Sequence, residues 1–166
     1  MDERDREFVE FARTRGPALR RMAYLLCADW HRAEDLVQST LIKLFEAWPR
    51  VRPDGTVDAY VRRILVRTAI DESRRFWSRE QPAERLPELP TEDKSTDSAM
   101  DVRCALAALP PRQRAVVVLR YWEDLPVDEV ARLLGCRPGT VKSQAVKALA
   151  SLRQALARHP VDGECR

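Results

Sequence analysis

The chain has 166 residues, 45% hydrophobic and 33% charged, so it can build one compact domain or two small ones under a surface richer in charge than the roughly 25% usual for globular domains. Only 5 glycines and few β-branched runs make helix the default and argue against a sheet protein. The longest apolar runs, such as residues 115–119, are far too short to insert in a membrane, and the acidic, amphipathic opening stretch is no secretory leader, so a cytoplasmic protein is expected.

Residues 3–15 carry a helical pattern that ends at Gly16-Pro17, read as a break before a second helix over residues 17–28. A third helix is predicted over residues 31–48. At about 100° per residue, Leu36, Val37, Thr40, Leu41, Leu44, Phe45 and Trp48 fall on one side and form its core face. The opposite face holds Asp35, Gln38, Ser39, Lys43 and Glu46, with Ile42 in its middle. One exposed isoleucine is ordinary. An apolar centre ringed by polar groups is also the composition of a protein interface.

A loop is expected over residues 49–56, which contain two prolines and Asp54-Gly55. A long fourth helix follows over residues 57–79. Val57, Val61, Ile64, Leu65 and Thr68 share one of its faces, and Arg63, Arg67 and Arg74 form a stripe about 120° away. Tyr60 lies at the edge of the stripe, and Phe76 and Trp77 sit near the helix end beside Arg75 and Arg79. Guanidinium groups neutralise phosphates, and aromatic faces stack on unpaired bases. Together they suit opening DNA better than an intact duplex. A solvated charged face with core aromatics is the plainer reading of such a helix in isolation.

Residues 80–101 hold three prolines, many turn formers and no apolar period, and read as a linker. Charge divides along the same lines. Residues 1–79 carry net +3, residues 80–101 net −5 and residues 102–166 net +5, adding to the chain's +3. Two basic segments suggest contact with a polyanion, and the acidic middle should avoid it. The middle serves as a plain tether or lies in a partner's basic channel.

The last block starts with a helix over residues 100–109, breaks at Pro110-Pro111 and continues over residues 112–123. Pro126 suits a first turn, and Asp128 and Glu129 favour the positive helix end. Val127, Val130, Ala131 and Leu134 form the apolar side, Gly135 stops the helix, and Thr140 is placed to cap the next one. Val141, Ala145, Ala148, Leu149 and Leu152 face inward, while Lys142, Ser143, Gln144, Val146 and Lys147 remain outward. Two short helices around a glycine turn with a basic outer face form the helix-turn-helix pattern, although an ordinary helical hairpin shares its spacing. The second helix of such a pair enters the major groove, where Lys can donate to guanine and Gln can pair with adenine.

Cys27, Cys104, Cys136 and Cys165 form no CxxC pair, and neither His31 nor His159 completes a metal pattern. Incidental thiols in a reducing compartment are expected rather than a zinc or redox switch. There is no Gly-rich phosphate loop and no GxSxG, so no enzyme, metal or cofactor is expected.

Residues 33–48 (AEDLVQSTLIKLFEAW), 57–75 (VDAYVRRILVRTAIDESRR) and 109–149, which include GTVKS, together with the acidic linker, resemble an extracytoplasmic-function (ECF, group 4) RNA polymerase sigma factor of the sigma-70 family, in particular its actinobacterial sigma-E group. The resemblance spans nearly the whole chain in the right order. It implies an all-α protein of two small helical domains. Residues 1–79 would be sigma region 2, a helical bundle; residues 80–101 the linker; residues 102–160 sigma region 4, the helix-turn-helix; and residues 161–166 a tail.

It further implies that Asp35, Gln38, Ser39, Ile42 and Glu46 dock on the β′ clamp coiled coil of core RNA polymerase. Tyr60, Arg63, Arg67, Thr68, Asp71, Arg74, Arg75 and Trp77 would bind the melted −10 element, and Arg137, Thr140, Lys142, Ser143, Gln144, Val146 and Lys147 the −35 duplex. Region 4 would also meet the β flap, and an anti-sigma factor acting in trans is the implied regulator. Relatives commonly carry Glu where Ser39 stands and Arg where Gln144 stands, which puts the usual clamp contact and −35 sequence in question. The competing reading is a stand-alone helix-turn-helix regulator, which leaves the first 79 residues without a role.

Overall fold

A computed structural model describes residues 1–51, 55–79 and 97–158. The described residues form α1 (Glu3–Cys27), α2 (Trp30–Val51), α3 (Val57–Arg79), α4 (Asp97–Ala107), α5 (Pro111–Val117), a π-helical turn (Val118–Trp122), α6 (Val127–Leu134) and α7 (Pro138–Arg158). The tail, Cys165 and linker residues 80–96 lie outside them.

The two helices expected on either side of Gly16-Pro17 are one. α1 runs straight through Pro17. An interior proline costs a helix about 3 kcal/mol. Both halves of α1 bury large side chains in the same place, and each such burial contributes about 1.5–3 kcal/mol. Phe8 and Phe11 pack on Trp48, with ring centroids at 5.3 and 5.4 Å, and Leu19 and Met22 enter the core further along. The packing outweighs the break. α1 ends at Ala28, whose left-handed backbone (φ 58°) returns its N–H to Tyr24.

The same competition extends α2. It passes Pro49 and ends at Val51 because Ala47, Trp48 and Val51 are buried in its last turns. The expected loop from residue 49 is therefore shorter, and its residues 52–54 lie outside the described residues. Asp29 starts α2 by accepting the Arg32 N–H at 3.0 Å. Leu36, Val37, Thr40, Leu44 and Trp48 occupy the core as expected.

α3 is buried on two sides. Val61 and Leu65 lie on the expected core face. Val66 and Ile70, on the other side of the helix, are buried too, and α3 packs on α5 and α6 as well as on α1 and α2. One apolar cluster accordingly runs from Leu36 and Leu65 through Val116 and Leu119 to Val130 and Val141. The two helical units are thus packed face to face. A smaller cluster of Leu106, Leu109, Val117 and Ala148 ties α4 to α5 and α7. α4 begins at Asp97, inside the expected linker.

Candidate nucleic-acid interface

The outward strip of α3 carries the expected cations. Arg63, Arg67, Asp71, Arg74 and Arg75 are exposed, and Tyr60 and Thr68 are half-buried. Trp77 lies in α3 by its backbone, and its side chain is outside the described set. On one edge, Lys43 of α2 donates to the Thr68 hydroxyl at 3.2 Å. On the other edge stands α6. A cavity of about 410 Å³ opens there, lined by Thr56, Ala59, Tyr60 and Arg63 from the α3 side and by Glu129, Arg132 and Leu133 of α6. Arg62 bridges the two units, 3.3 Å from Glu123 and 3.8 Å from Glu129. Arg67 reaches the helix-turn-helix glycine, its guanidinium 3.9 Å from where a Cβ on Gly135 would stand.

The helix pair forms as the sequence predicts. Gly135 adopts the left-handed conformation (φ 63°), its N–H returns to Ala131 and Arg132, and the Cys136 N–H reaches Ala131 at 3.0 Å. Arg112 adds a side-chain bond to the Leu134 carbonyl at 3.1 Å. Val130, Ala131, Val141, Ala145 and Ala148 are buried, Val127 and Leu134 only half so, and Leu133 takes the deeper place. Thr140 is not the cap. α7 already starts at Pro138, whose ring suits a first helical position, so Thr140 lies inside the first turn. Its N–H bonds Arg137 at 2.9 Å, and its carbonyl accepts from Ser143 at 3.2 Å. Arg137, Thr140, Lys142, Ser143, Val146 and Lys147 are exposed along one side of α7, and Gln144 is half-buried beside them.

On α2, Asp35, Gln38, Ile42 and Glu46 are exposed and Ser39 half-buried, with Ile42 62% exposed at the centre. Phe45, expected in the core, is 42% exposed and meets the Phe8 ring edge-on at 4.9 Å. Placed at the rim of the core face, it packs on α1 with one side of its ring only. The outward apolar surface is therefore larger than Ile42 alone.

Sequence reasoning gave no role to Arg114, which is 5% exposed. Its guanidinium donates to the carbonyls of Leu106 (2.9 Å), Ala107 (2.6 Å) and Leu109 (3.0 Å) at the end of α4, and to Leu26 (2.8 Å) at the end of α1. These are helix ends whose carbonyls lack helical partners and carry partial negative charge. One cation thereby caps two helices from different units. Burial pulls its pKa down to about 10. No sequence signal marks Arg114 out from the other arginines, because its partners are backbone atoms. Cys27 and Cys136 are free thiols. Among the described residues no His, Cys, Asp and Glu group has metal-site geometry, and no helix is long and apolar enough to cross a membrane.

Comparison with known proteins decides what this arrangement is. Residues 11–79 match the family model of sigma-70 region 2, and residues 99–152 that of sigma-70 region 4. The RNA polymerase sigma-E factor of Streptomyces coelicolor is 40% identical, over 94% of this chain and 89% of that protein. The chain belongs to the sigma-70 family, as an ECF sigma factor. The sigma-E factor of Streptomyces avermitilis is 38% identical over 94% of this chain and 88% of its own. Among solved structures, the sigma factor RpoE of Bartonella quintana, in complex with the anti-sigma factor NepR, matches with a TM-score of 0.74 and 28% identity over 95% of this sigma factor and 99% of RpoE. As an RNA polymerase sigma factor, the chain directs promoter-specific transcription initiation.

Proposed function

We propose that this sigma factor works with two separate DNA readers and one polymerase face. α1–α3 form the −10 and clamp unit, residues 1–79, and residues 102–160 the −35 unit, which holds α5–α7 and all of α4 but its first turn; that turn belongs to the acidic linker joining the two units, and the tail follows. The observation that carries the reading is the exposed strip of Arg63, Arg67 and Arg74 on a helix packed from behind, opposite an exposed α7 face in a glycine-turned helix pair. The strip is short of acids apart from Asp71, so it attracts phosphate, and Tyr60 and Trp77 supply ring faces for unstacked bases. Thr68 and Arg75 complete it. Flipping a base out of the stack costs a few kcal/mol, which these contacts offset.

On α7, Arg137, Thr140, Lys142, Ser143, Gln144, Val146 and Lys147 face the −35 major groove. Asp35, Gln38, Ser39, Ile42 and Glu46 dock on the β′ clamp coiled coil of core polymerase, with the isoleucine as apolar centre. The −35 unit also rests on the β flap. The protein acts in the cytoplasm without enzymatic chemistry of its own; the polymerase forms the phosphodiester bonds. An anti-sigma factor regulates it in trans, a reading supported by the likeness to RpoE, whose structure was solved with one.

Permanganate footprinting tests the whole reading. With core polymerase and a promoter from upstream of its own gene, thymines near −10 become reactive only when both proteins are present. Duplex binding by the protein alone, with neither opening nor polymerase association, would restore the stand-alone regulator.

A further inference from the structure

Lys43 has no part in the contacts assigned above. It shares the outward face of α2 with Ser39, Ile42 and Glu46, which are neutral or acidic. Its ammonium turns away from them to α3, where Nζ donates to Thr68 Oγ1 at 3.2 Å. An ammonium can only donate, so the Thr68 oxygen is the acceptor and its hydroxyl hydrogen is left for another partner. A threonine inside a helix often turns that hydrogen to the carbonyl one turn back, and no such bond from Thr68 is present among the described residues. Thr68 is half-buried at the edge of the arginine strip, one turn before Asp71. Its oxygen is therefore engaged by Lys43, and its hydroxyl hydrogen is not taken up by that bond.

We infer that Lys43 is a specificity-determining residue for the melted strand, acting through Thr68. It holds the Thr68 oxygen so that the hydroxyl donates to an acceptor on a base edge, a carbonyl oxygen or ring nitrogen. The inference rests on the reading of α3 as the −10 binding helix. A lysine that merely bound phosphate would strengthen every sequence alike. A lysine that orients a donor changes which base is preferred.

The experiment is promoter opening by core polymerase on templates randomised through the −10 element, with wild type, Lys43→Ala, Thr68→Val, the double variant and Thr68→Ser. Lys43→Ala and Thr68→Val each lose discrimination about threefold to tenfold at the same base position, the worth of one hydrogen bond. The double variant matches the single ones, because both remove the same contact. Thr68→Ser keeps the hydroxyl and the preference. The thermal midpoint of Lys43→Ala stays unchanged, since its side chain is exposed. Uniform weakening across all templates by Lys43→Ala, or losses that multiply in the double variant, would overturn the inference. No opening in the wild-type arm would overturn the −10 reading itself and this inference with it.

Discussion

The buried guanidinium of Arg114 is balanced by carbonyls at the ends of α1 and α4. Its planar fork reaches four acceptors at once, which the compact ammonium of lysine cannot do. Arg114→Lys is expected to cost about 2–3 kcal/mol, the worth of one or two charged hydrogen bonds left unmade. The thermal midpoint followed by circular dichroism should fall by several degrees. Below a pH of about 10 both the folded and the unfolded chain carry this charge, so Arg114 adds no pH dependence near neutrality. Cys27 behaves in the opposite sense. Burial pushes its thiol up, and Sγ donates to Ala23 at 2.9 Å. A raised thiol stabilises the fold below its ordinary range and loses that contribution as pH rises through the raised value. Iodoacetamide should therefore modify half-exposed Cys136 well before Cys27, whose labelling needs denaturant; peptide mass spectrometry reads the order.

Among the elements, α7 and α2 carry opposite surfaces and answer to different tests. Lys147→Ala removes one exposed cation from α7. It should weaken −35 duplex binding and lower the salt dependence by about one ion, measured by anisotropy of the holoenzyme on promoter fragments at several salt concentrations. Gln144→Arg exchanges an adenine-pairing group for a guanine-pairing one and should shift preference at one −35 position by about 1–3 kcal/mol. Ile42→Asp places a charge at the centre of the α2 face. Core polymerase affinity should fall at least ~10-fold, as at interface centres generally, with the thermal midpoint almost unmoved because the side chain is already 62% exposed.

At the scale of the molecule, the face-to-face packing sets the −10 strip beside α6 before any DNA arrives. Val66 and Ile70 supply apolar surface to that junction, and Arg62 with Glu123 and Glu129 closes it. Partly screened ion pairs contribute up to ~1 kcal/mol. Replacing both glutamates by glutamine should raise the open population severalfold, seen as a longer distance between dyes on α1 and α7 by energy transfer. Val66→Asp should open the two units further, because it buries an unpaired charge in the closed form only.

Helix patterning, the glycine-turned pair, the arginine stripe on α3 and the exposed Ile42 were all legible along the chain, because each depends on neighbours a few residues away in a periodic helix. The capping position was placed three residues late, at Thr140, because Pro138 starts the helix earlier. Gly16-Pro17 and Pro49 were misread as stops because their local cost is visible and the burial that offsets it is not. The second buried face of α3, the role of Arg114 and the Lys43–Thr68 bond lie beyond local pattern altogether. Each joins residues from different helices, and in Arg114 the partners are main-chain carbonyls that every residue possesses. The sequence by itself determined where the chain is helical and which helix faces are basic, acidic or apolar. Only the tertiary structure decided which faces meet, because burial of Val66 and Ile70 and satisfaction of a buried cation depend on surfaces far apart in the chain.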